Sequence, residues 1–357
     1  MRKFDIPEIP HEFVDKAKMK LRKVWALEDL NLNDPAIFIG WNEGAEKLIN
    51  PGSKAMVENP ELDVSSQLAG VRRTIEFLTA GDGFCNIPAM NLVHFGTGPL
   101  ATAFGSKVVL RDGSQPAFIP AVHTPEEASQ LEKPNLLKDG MCKQILERIE
   151  YYNEATQGKI PLTVSDCAGP WSVATQIWHY EDMLEAIYTA PEVVHSFMDL
   201  VTDCLIEFTY IQQERIVNYC GYHTTTGSLW RPRGWGLGDD TLVTVSPKHF
   251  QEFFMPYNER LSRELGGITY HCCMRYDFQL ESIAKTEGFM GFDPVPEYND
   301  LDIIERVLSG KGVWCCLLSD RNLIKRFGGK VGIFLQESGK SRQDALDNVA
   351  KLREFLK

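Results

Sequence analysis

The sequence predicts an α/β protein, a single (β/α)8 barrel of the TIM type with an N-terminal helical extension. Three observations carry that expectation. Short apolar, β-branched runs recur along the chain, helix-length amphipathic segments separate them, and no linker interrupts the 357 residues. The strand-like runs are 36–40, 84–87, 160–165, 222–226, 267–272, 289–293, 312–317 and 330–335. Eight strands with helical spacers is the pattern of a closed parallel barrel. The chain is read as one domain, 1–357, in which residues 1–35, helical over about 10–30, cap one side.

The helix openings follow from local chemistry. Thr124-Pro125-Glu126-Glu127 places an N-cap hydroxyl, a proline at N1 and a glutamate at N3 ahead of an apolar run. Ser246-Pro247 repeats the hydroxyl-proline opening before Phe250, Phe253 and Phe254, and Ser341 with Asp344 opens the last helix. Residues 178–217 predict two long helices broken at Ala190-Pro191, with Met183, Ile187, Val194, Phe197, Val201, Leu205 and Phe208 as the core-facing stripe. His179, His195 and His249 fall on these helical segments and are expected to be structural or surface residues. The aromatic, Pro/Gly-rich stretch 230–238 predicts a packed loop after the fourth strand.

Composition narrows the function classes. A net charge of −12 and a pI near 5.2 leave no basic stripe for nucleic acid. No apolar run reaches the about 18 residues of a membrane span, and Met1-Arg2-Lys3-Phe4-Asp5 does not open a signal peptide. A soluble, cytoplasmic protein is expected. Nine cysteines without disulfide rhythm point to free thiols, some of them available to a metal.

The densest chemistry lies in Tyr270-His271-Cys272-Cys273-Met274. On an extended backbone, residues two apart face the same side, so His271 and Cys273 point to one place and Cys272 away from it. Imidazole and thiolate are preferred zinc ligands. In a parallel barrel the chemistry gathers at the C-terminal strand ends. Those ends here offer Asn42 and Glu43, Asp166, His223, the His271-x-Cys273 pair, Asp293 with Glu297, Cys316 and Glu337. Asp166, His223 and Glu297 are the acid–base candidates lining the cavity. Of the adjacent pair Asp239-Asp240 one is expected to contact substrate; Asp240 is carried as the candidate, with the choice left open. Trp230, Arg231 and Arg233, in the stretch read as a loop, are further substrate-binding candidates.

Several of these pieces occur in a known order. Gly169-Pro170-Trp171, Tyr180-Glu181-Asp182-Met183, Ala190-Pro191-Glu192 and Gly238-Asp239-Asp240 ahead of Ser246-Pro247 resemble the uroporphyrinogen decarboxylase superfamily over about residues 80–335. His271-x-Cys273 is similar to the motif of its corrinoid-linked zinc methyltransferases. The resemblance implies a distorted (β/α)8 barrel with its active site at the C-terminal mouth. The decarboxylases carry an N-terminal arginine-rich motif; Ile39-Gly40-Trp41-Asn42-Glu43-Gly44 has no arginine, and Glu43 would repel an anionic substrate. The methyltransferases carry a second cysteine late in the last strand. Here that strand reads Phe334-Leu335-Gln336-Glu337, which leaves Glu337 or Cys316 to complete a metal set with His271 and Cys273.

The expected function is therefore methyl transfer between a corrinoid carrier protein and a small acceptor or donor at a zinc site. The alternative is a metal-free decarboxylase of a porphyrinogen or other carboxylated substrate, with Arg231 or Arg233 holding the carboxylate and Asp166 supplying the proton. A third reading is a non-catalytic binding subunit. The resemblance also points to a homodimer.

Overall fold

The computed structural model describes residues 3–45, 52–111, 113–165, 168–221 and 229–357. Its central feature is a parallel sheet whose six strands are ordered β1-β8-β7-β6-β5-β4, namely β1 (Ile37–Trp41), β4 (Trp235–Gly238), β5 (Ile268–His271), β6 (Phe289–Asp293), β7 (Val313–Leu318) and β8 (Gly332–Gly339). The short β2 (Lys107–Val109) and β3 (Ala117–Ile119) form a separate antiparallel ribbon. Five of the expected strands appear as β1 and β5–β8. Burial along β1 and β8 is nearly continuous, as a parallel sheet covered on both faces requires.

The expected strands at 84–87 and 160–165 appear as isolated parallel bridges, Ile37↔Phe84, Met90↔Leu162 and Leu162↔Tyr219. Side chains interrupt both ladders. Asn86 Oδ1 accepts from Ile39 N and its Nδ2 donates to Ile39 O, both at 3.1 Å, so an amide side chain pairs with β1 where backbone would otherwise do so. Ser165 N likewise donates to Gln212 Oε1 at 2.8 Å. The expected strand at 222–226 lies outside the described residues. A strand does form at β4, inside the stretch read as a loop. Its sequence, Trp-Gly-Leu-Gly, hides it, because glycine carries little strand propensity. A Cβ at Gly236 would sit 2.6 Å from the Arg231 guanidinium, which would have to shift to admit it.

Helices surround the sheet. They comprise α1 (His11–Trp25), α2 (Ser53–Glu58), α3 (Pro60–Leu78), α4 (Pro125–Ser129), α5 (Gly140–Thr156), α6 (Pro170–Ile177), α7 (Tyr180–Thr189), α8 (Pro191–Arg215), α9 (Pro247–Phe253), α10 (Met255–Leu265), α11 (Leu280–Ile283), α12 (Leu301–Leu308), α13 (Arg321–Phe327) and α14 (Arg342–Phe355). The capping box Thr124/Glu127 opens α4, Ser246 caps α9 and Ser341 caps α14. The break at Ala190-Pro191 separates α7 from α8. His195 on α8 stacks on Phe253 and shares a 2.7 Å hydrogen bond with Tyr257, a packing role.

Helix α1 buries Val14, Ala17, Leu21, Val24 and Trp25, one face at helical spacing. It closes the end where the strands begin. Trp25 packs on Phe334 near the start of β8 and donates Nε1–H to the carbonyl of Trp230 at 3.0 Å. Lys18 and Arg22 cover the Trp230 ring, and the buried Arg231 lies over Trp25.

Candidate active site

Strand register builds the site. Gly238 of β4 pairs with His271 of β5, and His271 with Asp293 of β6, so three neighbouring strands end in one row at the C-terminal edge. Asp240 and Cys273 stand two residues beyond Gly238 and His271. His271 Nδ1 lies 2.8 Å from Asp293 Oδ2, and Nε2 faces Cys273 Sγ at 3.2 Å. The backbone N–H of Cys273 donates to Asp240 Oδ1 at 2.7 Å. Potential ligand atoms of Asp240, His271 and Cys273 all lie within 4.8 Å of one another. Past the end of β5, Cys272 is buried while Cys273 is exposed.

The donors fit a zinc ion. One imidazole, one sulfur and one carboxylate converge from two adjacent strands, which leaves a fourth position for substrate. Asp293 orients the imidazole through Nδ1, the carboxylate–histidine arrangement that fixes a ligand's tautomer. The local field agrees. Burial, reinforced by the negative charges of Asp240 and Asp293, holds the Cys273 thiol above its ordinary pKa. A bound dication would reverse that preference.

Asp239 and Asp240 have different surroundings. Asp240 is exposed at the mouth. Asp239 is fully buried, where its Oδ1 accepts from Ser172 Oγ at 2.8 Å and Thr241 Oγ1 at 2.7 Å. Burial raises its carboxyl to about 6, against the lowering effect of those hydroxyls.

The expectation that Glu337 or Cys316 completes the metal set needs correction. Glu337 sits on β8, three strands away from β5 in the sheet, and is paired with Arg321. Cys316 on β7 is raised to about 12 by burial and then by neighbouring Asp293, but its sulfur is not part of the convergent group among the described residues. The carboxylate that does converge is Asp240. Sequence reasoning carried Asp240 as a substrate contact but not as a donor beside His271 and Cys273, because β4 was read as loop; the signal was an Asp-Asp pair directly after a Gly-interrupted apolar run.

The loop assignment of 230–238 is corrected with it. Trp230, Arg231 and Arg233 precede β4 and therefore sit at the strand-beginning end, where Arg233 packs near Gly266 and Trp230 contacts α1. They are not brought to the row of Asp240, His271 and Cys273. Asn42 and Glu43 are exposed just past β1, with their backbone N–H groups on Gly339 O and Lys340 O. Arg73 of α3 reaches this corner from below, but its guanidinium is held by the carbonyls of Trp41 and Glu43 and by Glu76. Glu297 is exposed beyond β6, where its charge acts on Cys316. Asp166 and His223 lie outside the described residues.

Comparison with known proteins now decides the family. The family model described as "Uroporphyrinogen decarboxylase (URO-D)" matches residues 95–307. The chain belongs to the uroporphyrinogen decarboxylase family. Among curated members, a uroporphyrinogen decarboxylase of Xanthomonas axonopodis pv. citri is 21% identical over 169 residues, 46% of this chain and 43% of that protein. A methylated-thiol–coenzyme M methyltransferase of Methanosarcina mazei is 25% identical over 201 residues, 53% of this chain and 50% of that protein. The match thus spans about half the length of these relatives. In fold, this uroporphyrinogen decarboxylase family member superposes on a methyltransferase from Methanosarcina mazei with a TM-score of 0.63 at 16% identity, covering 95% of this chain and 98% of the other. Among the described residues, no helix is long and apolar enough to cross a membrane.

Proposed function

We propose that this family member is a metal-dependent methyltransferase, moving a methyl group between a corrinoid carrier protein and a small thiol. The observation that carries the reading is the approach of His271 Nε2 to Cys273 Sγ, with Asp293 behind the imidazole and Asp240 beside the sulfur. The similarity to the Methanosarcina mazei methylated-thiol–coenzyme M methyltransferase supports it, and the thiol in that protein's name, coenzyme M, is a reasonable first acceptor. We also read the bridges at Phe84, Met90 and Leu162 as the remaining staves of a closed (β/α)8 barrel. The cytoplasmic location expected from the sequence stays part of the proposal.

In this reading His271, Cys273 and Asp240 hold zinc, which when bound lowers the pKa of an acceptor thiol. Asp293 keeps the imidazole oriented toward the metal. A methyl-corrinoid presented by the carrier protein would be the substrate that supplies the methyl group, and the acceptor thiol held beside His271, Cys273 and Asp240 would receive it. The exposed rim carrying Asn42, Glu43 and Glu297 borders the space into which a carrier protein would present its corrinoid.

The test combines metal content and turnover. Protein purified without chelator should carry near one equivalent of zinc at the mouth, and His271→Ala should remove it. Methylcobalamin with coenzyme M should show the zinc-dependent loss of the methyl-cobalt absorbance. Porphyrinogen decarboxylation by metal-free protein would instead establish the carboxy-lyase alternative. Inertness toward both, with stable capture of a carrier protein, would establish a binding subunit.

A further inference from the structure

We propose that His123, His179 and Asp182 form a second metal site, for a divalent ion of the zinc class, where the openings of α4 and α7 meet. A parallel bridge joins Val122 to Trp178, reinforced by hydrogen bonds from Ala121 N and Val122 N to Ile177 O and from His179 N to Val122 O. The next residues on the two strands of this bridge are His123 and His179, so their rings lie side by side, stacked with centroids 5.3 Å apart. Asp182 follows His179 by three residues, one helical turn, and returns its carboxylate to the same point. Its Oδ2 lies 3.1 Å from Nδ1 of each histidine.

That spacing suits coordination. Ligands about 2.1 Å from a tetrahedral zinc stand about 3.4 Å apart. Two imidazoles and one carboxylate with open positions is a donor set for Zn²⁺, Co²⁺, Ni²⁺ or Fe²⁺. A plain His–Asp hydrogen bond explains only half of the arrangement. His123 Nδ1 makes that bond, whereas His179 Nδ1, shielded from solvent and equally close, makes none. A buried ring nitrogen without a hydrogen bond calls for another partner, and a metal ion supplies one.

The platform is firm. Val122 and Trp178 are buried, and His123 N is held by Glu127 Oε2 through the α4 capping box. The two rings are themselves partly exposed, which leaves a path for the ion. The helix dipole at the start of α7 opposes a cation there, but Asp182, Glu181 and Glu127 supply compensating negative charge. The set shares no residue with Asp240, His271 and Cys273.

The experiment uses untagged full-length protein in which His271→Ala and Cys273→Ser silence the mouth. Titration with zinc alone should show one equivalent bound. Adding His123→Ala or Asp182→Asn should weaken that binding by at least about tenfold, as losing even a supporting partner does. Cobalt(II) at this site should give ligand-field bands without a sulfur charge-transfer band, since no thiolate takes part. Circular dichroism of each variant confirms that the fold is kept, as is expected of partly exposed side chains. No zinc on the mouth-silenced protein, or binding that His123→Ala leaves unchanged, overturns the proposal. Either result is separable from the methyltransferase reading, which concerns the other metal equivalent.

Discussion

At the scale of single residues, the site works by division of labour between neighbours. His271 and Cys273 face the mouth, whereas Asp293 faces His271. Replacing Asp293 with Asn keeps the size but weakens the acceptor that orients Nδ1. Zinc affinity measured by competition with a chromophoric chelator should fall by about 10- to 100-fold while the unfolding midpoint barely moves. A change below about threefold would mean that the imidazole is oriented by something else. Asp239 makes a different prediction. Its folded pKa of about 6 is raised above the ordinary 3.8, so the folded state keeps a proton that the unfolded chain has already released. Asp239 therefore contributes most to stability below about pH 4 and loses that contribution as the pH rises to about 6. Denaturant unfolding of metal-free wild type against Asp239→Asn should show the difference changing by about 3 kcal/mol across this window, and flat above it. A difference that does not vary with pH would contradict the assignment.

Elements show what was legible in the sequence and what was not. Strands with β-branched, unbroken apolar runs, such as β7 with Val313-Trp314-Cys315-Cys316-Leu317-Leu318, announced themselves. The helix openings at Thr124, Ser246 and Ser341 were equally plain, because capping is local chemistry. Strand β4 was invisible because two of its four residues are glycines, and one of these owes its place to an arginine that arrives from outside the strand. Such a tertiary demand leaves no periodic trace. Gly236→Ala tests it. The added methyl group would meet the buried Arg231 guanidinium, so urea unfolding should show a loss of about 1–3 kcal/mol, the usual range for overpacking. A neutral result would show that Arg231 can withdraw, and with it the reason for glycine at this position would fall.

For the whole molecule, one missed strand propagated to the site. Reading 230–238 as a loop made Trp230, Arg231 and Arg233 substrate-binding candidates, whereas β4, inside that stretch, places them ahead of a strand and away from Asp240. The convergence of His271 with Cys273 needed only the two-residue period of a single strand and was legible at once. The third donor depended on which strand lies beside β5, a long-range fact that spacing within one segment does not encode. The family and the α/β class with its parallel sheet survived because they rest on an ordered series of features across most of the chain.

The alternation of Cys272 and Cys273 gives the mouth an all-or-none dependence on chain length. Deleting one residue from Gly266-Gly267, should β5 keep its place between β4 and β6, would bring Cys273 to the place of the buried Cys272 and Met274 to that of Cys273. An identical set of side chains would still be encoded, with the Cys273 sulfur delivered to a buried position and the imidazole turned off its carboxylate. Length variation just upstream of this strand is thus incompatible with the chemistry even where it is compatible with folding.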